Sequence, residues 1–390
     1  MPNTQTRSIY FREEHEMLRD QVRRFVEEEV KPHGLEWEEQ GFVPREVLRR
    51  MGELGFLGIR YPTDFGGSEL DTLATVVLAE ELGRSTFSGL AVTVLVHTDM
   101  ASVHLANSTN LPLRKRWMPD IVAGKKICAV AVTEPGAGSD VKGIRTTALL
   151  EGSDYVLNGA KMFITNGVHA DLYMVACKTG SAGGADKASR AISMILVEKG
   201  TPGFRVARPL DKHGWRSSDT AELVFEDARV PASNLLGDEG QGFYAIMRNF
   251  QNERTVIAAM AMGEAEAARE LTLDWVRQRQ AFGAPLWDKQ VIRQKLAMLA
   301  SKVEAGKQLV YHCAFLDTQG VDCTREVSMA KAYCGELVNE VMYACTQFHG
   351  GMGFMRESTI ERMTRDARVQ SIGGGATEVM LEEVAKRLGR

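Results

Sequence analysis

The sequence predicts an α+β chain of more than one domain, with a helical first third, a β-rich middle and a helical last third. Three observations carry this. Leu18, Val22, Phe25 and Val26 begin a series of apolar residues at helical spacing. Between about residues 127 and 230 the pattern changes to short runs of Val, Ile, Ala and aromatic residues, bounded by Gly, Asn and Asp. After Gly240 helical spacing returns in long Ala- and Met-rich stretches with short breaks, which points to a bundle. The expected division is residues 1–125, an N-terminal α-helical domain; 126–236, a middle antiparallel β domain; and 237–390, a C-terminal α-helical bundle domain. A chain of 390 residues is too long for one simple core, which agrees.

Element by element, Pro32 stops the first helical pattern and Pro44 can open the next helix. Asp71 can cap a helix that runs to Gly83. Pro112 opens a shorter one carrying Trp117. Most charges in this third are expected on solvated faces. In the middle, Cys128 to Thr133 alternates Ala and Val and reads as a mostly buried strand. Tyr155-Val156-Leu157 and Met162-Phe163-Ile164 flank Asn158-Gly159, a hairpin signal. Residues 172–177, 191–197 and 221–225 read as further strands, the last ended near Pro231. Residues 180–184 read as a mobile surface loop. The last third breaks at Gly283-Ala284-Pro285 and at Gly320.

Composition excludes several function classes. A net charge of −4 without a basic run argues against nucleic acid as a partner. The six cysteines show no C-x-x-C pair and no metal spacing. Cys334 and Cys345 share a helix face, so buried free thiols in a reducing compartment are expected, with no metal. The chain starts without a signal-peptide core. Its most apolar run, residues 90–103, contains His97 and Asp99 and is too short to cross a membrane. A cytoplasmic protein is expected, or a mitochondrial matrix protein if a transit peptide was removed.

Two stretches carry chemistry. In residues 128–140 a strand leads into Pro135-Gly136-Ala137-Gly138-Ser139-Asp140, where two glycines let backbone approach a ligand. Alone, this is an ordinary tight turn. In residues 161–167 a second short strand ends at Thr165 beside a turn. Thr133, Thr165 and the flat Phe163 then offer a shelf for a planar heterocycle with polar edges. "AVTEPGAGSD" followed by "GAKMFITNG" resembles the acyl-CoA dehydrogenase family of flavoproteins. The resemblance covers nearly the whole chain, through "SSDTAELVFEDARVP", "RQAFG", "QFHGGMGF" and "ARVQSIGGGATEV", in the family's order.

The resemblance implies a C-terminal four-helix bundle, bound FAD, an acyl-CoA substrate and transfer of electrons to an electron-transfer flavoprotein. In that reaction a carboxylate takes the α proton of the thioester and the flavin takes the β hydride. Many members carry the base in a near C-terminal motif resembling Tyr-Glu-Gly-Thr. This chain has Gly373-Gly374-Gly375-Ala376 there, so that base is absent. A subgroup resembling long-chain and isovaleryl-CoA dehydrogenases places its glutamate before an arginine in the first helix of the last domain. Phe250-Gln251-Asn252-Glu253-Arg254 matches that place, and Glu253 is the expected base. Independently, Ile246, Phe250, Glu253, Ile257 and Met260 share one helical stripe, where a carboxylate is costly unless neutral, paired or functional. From spacing alone a structural ion pair explains it equally well.

The other assignments follow from the same resemblance. Ala131, Val132, Thr133, Gly138 and Ser139, with Phe163, Ile164 and Thr165, match flavin contacts, and Ser139 also a substrate contact. Tyr244 matches a residue lining the thioester arm. Gln251, Asn252 and Arg254 match substrate positions, Arg254 that of a contact to the CoA portion. Gly374 offers its N–H, with a ribityl hydroxyl of FAD, to the thioester oxygen. Arg279, Phe282, Gln290, Gln347, Gly350 and Gly351 match groups that hold FAD across a subunit interface, which implies a homotetramer built as a dimer of dimers. Ala376, Thr377 and Glu378 match a further FAD segment, with Ala376 where the family usually has threonine. His349 is read as a packing residue. Gly373 stands where many straight-chain relatives have a large aromatic, so methyl-branched acyl chains are expected to be tolerated, and the likeness of "FEDARVPASNLLGDEGQGF" and "ARVQSIGGGATEVM" to the long-chain subgroup implies medium or long chains. Rival readings are an oxygen-using acyl-CoA oxidase, a non-dehydrogenating member acting on acyl-CoA, and a non-catalytic scaffold.

Overall fold

The computed structural model describes residues 8–180 and 191–389. It forms two compact units: Met1–Leu35, Leu70–Ala91 and Arg254–Arg390 make one, and Glu36–Glu69 with Val92–Glu253 the other. The expected loop at 180–184 lies almost wholly outside the described residues.

The first unit is helical. Helix Glu13–Phe25 packs on Thr72–Gly83, which packs on Gln290–Thr318. Asp71 caps Thr72–Gly83, its side chain accepting from the Ala74 N–H at 3.1 Å. Thr324–His349 packs against Gln290–Thr318, Thr359–Ala367 and Thr377–Ala385, and the unit also holds the greater part of the long helix Gly242–Gln278. Two glycines allow a close helix crossing. A Cβ on Gly83 would lie 2.3 Å from the Met260 carbonyl oxygen, and one on Gly263 would lie 2.0 Å from that of Glu80.

Charges expected on solvated faces are instead buried here. Arg19, Glu80 and Glu81 are all buried. Arg19 bridges Glu80 at 2.9 Å and Glu81 at 3.2 Å, while Lys307 and Tyr311 approach Glu80 at 3.0 and 2.9 Å. Burial would raise the Glu80 carboxyl, but Lys307 and Arg19 hold it down at about 2. The network joins three helices that local periodicity treats as separate.

The second unit contains the sheet. Its strands are β1 Cys128–Ala131, β2 Thr147–Glu151, β3 Asp154–Thr165, β4 Leu172–Lys178, β5 Ile192–Glu198, β6 Phe204–Pro209 and β7 Thr220–Pro231. Their order is β1-β4-β2-β3-β7-β6, with β5 on the other edge of β4. The expected antiparallel sheet is antiparallel except where β1, and β2 by a single residue pair, run parallel to β4. No hairpin forms at Asn158-Gly159. The type I′ turn that Asn-Gly favours wants positive φ at both turn positions, and only Gly159 has it, at 149°. β3 runs on through a bulge there, and the Asn158 side chain exchanges hydrogen bonds with Asp227 on β7. The tight turn falls instead between Glu151 and Asp154.

Among the described residues one helical run, Ser88–Ala106, is long and apolar enough to cross a membrane, which corrects the expectation of a run too short to do so, and it is wholly buried. It contains a π-helical stretch, Val96–Ala101. The six cysteines are free and buried, as expected.

Candidate active site

In the sheet unit, the Pro-Gly turn is secured from beneath by one buried carboxylate. Glu134 Oε1 accepts from the Thr146 N–H at 2.9 Å, the Thr146 hydroxyl at 2.6 Å and Lys161 Nζ at 2.8 Å. Its Oε2 accepts from the Arg145 N–H at 2.6 Å. Burial favours the neutral acid, but the Lys161 ammonium and these donors hold the carboxyl below its ordinary range. Lys161 also donates to the Val132 carbonyl at 3.1 Å, and the Met162 N–H donates to that of Thr133 at 2.9 Å. The turn is therefore tied to β3 at several atoms. A Cβ on Gly136 or Gly138 would meet no atom within 4 Å, so these glycines are not required by packing. They leave bare backbone facing open space.

Beside this turn stands Phe163. It sits at a bulge in β3 with φ 61°, and its ring is 65% exposed. A bulky residue in left-handed backbone costs ~1–2 kcal/mol, and an exposed aromatic ring returns little of that. The position makes sense if the ring edge meets something planar. Ile164 is buried, Thr165 is half-buried, and Asn166, also at positive φ, locks the following turn by donating to the Thr93 and Cys128 carbonyls. An open glycine turn, two threonines and a strained exposed ring fit a planar heterocycle with polar edges.

Glu253 belongs to the same unit and is 9% exposed. Its Oε1 accepts from Asn249 Nδ2 at 2.8 Å, one helical turn earlier. Asn249 also donates to the Met100 carbonyl at 3.2 Å, and Asn252 to that of Asp99 at 2.8 Å. Both carbonyls lie in the π-helical stretch, whose wide turn shifts its carbonyls out of α-helical register. The same stretch carries His97, which accepts from the Cys128 N–H at 3.1 Å at the start of β1. One irregular turn thus touches both the strand that feeds the Pro-Gly turn and the residues flanking Glu253. Burial pushes Asp99 up to about 6 and His97 down to about 4, so His97 is neutral. Tyr244 is exposed near the helix start, beside Phe243, whose ring lies 5.3 Å from Lys142 Nζ.

The helical unit holds the rest of the expected residues in two places. Arg279, Phe282 and Gln290, with Gln347, Gly350 and Gly351, are exposed. Phe282 is 97% exposed at the tip of a two-residue hairpin, at φ 53°. Trp275 joins these groups at one end of the bundle: its ring stacks on His349 at 5.0 Å and its Nε1 donates to the Phe348 carbonyl at 3.1 Å. His349 packs, as expected. The second place is the turn before the last helix. Gly374 and Gly375 have φ 67° and 109°. A Cβ on Gly374 would lie 2.4 Å from Ile257 Cδ1, whereas one on Gly373 would meet nothing nearer than Val369 at 3.7 Å. Arg254 Nε stands 3.6 Å from a Cβ placed on Gly375. Ala376 precedes helix Thr377–Ala385 with no side-chain cap, the Thr377 hydroxyl donates to Glu336 at 2.6 Å, and Glu378 is exposed.

Sequence reasoning missed Lys161, Glu134, Asn249 and Lys331. Asn249 had a signal, its spacing of four residues from Glu253 on a helix. The others had none, because their partners are distant in sequence.

Sequence models of the acyl-CoA dehydrogenase N-terminal, middle and C-terminal domains match residues 12–125, 129–228 and 240–389. The long-chain specific acyl-CoA dehydrogenase of Mus musculus mitochondria is 42% identical over 379 residues, 97% of this chain and 87% of that protein. The crystal structure of an acyl-CoA dehydrogenase from Geobacillus kaustophilus superposes with TM-score 0.94 at 42% identity, covering 98% of this chain and 100% of that one. A chain from a structure described as the electron transferring flavoprotein of Acidaminococcus fermentans superposes with TM-score 0.94 at 34% identity, covering 98% and 100%.

Proposed function

Because the chain belongs to the acyl-CoA dehydrogenase family, we propose that Glu253 is the base that takes the α proton of an acyl-CoA thioester. As a member of that family it is an FAD-dependent oxidoreductase. FAD, when bound, supplies the acceptor for the β hydride.

The observation that carries the reading is Glu253 itself, a buried carboxylate on an apolar helical stripe, with a neutral amide on Oε1. The Asn249 amide orients the carboxylate, which suits a base. Gly374 supports it by exclusion. Glycine leaves no carboxylate at that position, and a side chain there would have to shift the Ile257 Cδ1 end and adopt φ 67°. The Gly374 N–H is proposed to donate to the thioester oxygen as charge develops on it. Ala131 to Thr133, Gly138, Ser139 and Phe163 to Thr165 are proposed to receive the flavin ring. Tyr244, Gln251, Asn252, Arg254 and Gly373 are proposed to line the acyl-CoA. Arg279, Phe282, Gln290, Gln347, Gly350, Gly351, Ala376, Thr377 and Glu378 are proposed to hold the rest of FAD.

Glu253→Gln in the FAD-loaded enzyme is the test. Acyl-CoA should still bind, and anaerobic flavin bleaching should slow ~10²–10⁴-fold. Bleaching near the wild-type rate would sink the assignment.

An electron-transfer flavoprotein as acceptor is supported by the likeness to the Acidaminococcus chain. Fast reoxidation by air would favour the oxidase reading instead. Medium, long or methyl-branched acyl chains are supported by the open space at Gly373 and by the long-chain mouse relative. Specificity constants for matched straight and β-methyl acyl-CoAs decide that point. A homotetramer is supported by the exposure of Phe282 and the Gly350-Gly351 turn, and light scattering showing an FAD-loaded monomer would remove it. Relatives from bacteria and from mitochondria leave a bacterial cytoplasm or a mitochondrial matrix as the proposed location.

A further inference from the structure

The turn of residues 370–375 is held from inside by one lysine. Lys331, on helix Thr324–His349, is 1% exposed. Its Nζ donates to the Gln370 carbonyl at 2.6 Å and to the Gly375 carbonyl at 2.7 Å. These two oxygens bracket the turn, and Gly373 and Gly374 lie between them. Gln370 is itself wholly buried, and its side-chain Nε2 donates to Glu264 Oε1 at 3.0 Å, which pins the turn's first residue. Nothing in three consecutive glycines selects one backbone conformation, since glycine loses the most freedom on ordering. Gly374 and Gly375 nevertheless hold φ 67° and 109°, so the selection comes from outside the turn.

A lysine suits this work because its three N–H donors share one atom and can draw separate carbonyls together. The arrangement is costly for the protein. Burial pulls the ammonium down to about 8, with the neighbouring Arg254 charge adding to the effect, because carbonyl dipoles do not return what a carboxylate would. A buried lysine spent on two carbonyls of a glycine turn calls for a functional reason.

We propose that Lys331 is a positioning residue for thioester polarisation: by clamping both ends of the 370–375 turn it aims the Gly374 N–H at the thioester oxygen. This rests on the reading that Gly374 is a donor to that oxygen. Backbone donors of this kind act only when preorganised, so loosening the clamp costs rate more than binding.

The test uses the full-length, FAD-loaded enzyme and the variants Lys331→Met and Lys331→Gln. The probe is an enoyl-CoA product labelled with ¹³C at its thioester carbonyl, followed by isotope-edited infrared difference spectroscopy. Bound to the wild type, the labelled carbonyl stretch should fall below its solution value. In Lys331→Met it should return toward solution, with FAD retained, the product still bound and flavin reduction slowed ~10²–10³-fold. Lys331→Gln reaches one carbonyl and should fall between, and it carries the test if the Met variant does not fold. A wild-type carbonyl that is not shifted overturns the Gly374 reading and the inference with it. A wild-type shift that persists undiminished in the variants overturns the inference alone, because the donor then keeps its aim without Lys331.

Discussion

Lys161 and Lys331 are both buried lysines placed under glycine turns, and they meet opposite partners. Lys161 meets Glu134, a carboxylate that also collects three donors from Arg145 and Thr146. Lys331 meets two main-chain carbonyls. Burial lowers the Lys161 ammonium at the first site, and the Glu134 charge and hydrogen bond oppose that. The second offers its ammonium carbonyl acceptors and no hydrogen-bonded carboxylate, and burial pulls that lysine down to about 8. The difference shows two ways of ordering backbone at a glycine turn. A closed ion pair stiffens a loop as a scaffold, while a carbonyl clamp sets the direction of a single N–H.

The largest effect should come from breaking the closed site. Lys161→Met leaves the Glu134 carboxylate buried without its cation, which should cost ~3–5 kcal/mol in denaturant unfolding. Adding Glu134→Gln removes the stranded charge and keeps one acceptor oxygen for the Thr146 donors, while its NH2 faces the Arg145 N–H, so part of the loss should return. If the double variant is as unstable as the single one, the pair is not what secures the turn.

A buried acid behind the second turn sharpens the contrast through pH. Burial, with the Asp366 charge adding to it, pushes Glu264 up to about 8, well above its ordinary 4.5. Its folded value is raised, so its contribution to stability is present below about pH 4.5 and is lost as pH rises toward 8. Each unit is worth ~1.4 kcal/mol, for a total of a few kcal/mol. Glu134 has the opposite sign: its lowered carboxyl contributes stability above its ordinary range and loses it as pH falls. Glu264→Gln should therefore flatten the unfolding free energy between pH 5 and 8, measured by urea titration. An unchanged slope would mean that Glu264 is ionised throughout.

The smallest effect belongs to the clamped turn itself. Gly374→Ala places a methyl 2.4 Å from Ile257 Cδ1 at φ 67°. The loss should be ~1–2 kcal/mol, part clash and part backbone. Ile257→Ala in the same chain should relieve the clash part only, so melting temperatures of the double variant and of Ile257→Ala alone should differ by the remainder. Full rescue would show that the backbone there is not strained.

Sequence alone determined what depends on neighbours within a turn or two. Asp71 as a helix cap, the breaks at Gly283-Ala284-Pro285 and Gly320, and the apolar stripe that buries Glu253 all follow from local chemistry and a period of 3.6. The residues quoted for the family resemblance were legible too, because their spacing in the chain is itself the signal. Tertiary structure decided the rest. Asn158-Gly159 reads as a hairpin locally, yet pairing of β3 with β7 along nearly its whole length outweighed the turn. β1 lies parallel to β4 because the strand beside it comes from 44 residues onward, as Cys128 facing Leu172 records. Glu80 looks like a surface charge until Arg19 and Lys307 arrive from other helices. Lys161 reads as one polar residue in a short strand, and its partner Glu134 lies 27 positions away. Lys331 finds its two carbonyls 39 and 44 positions on. A buried charge is settled by what surrounds it in space, and only the closed fold supplies those surroundings.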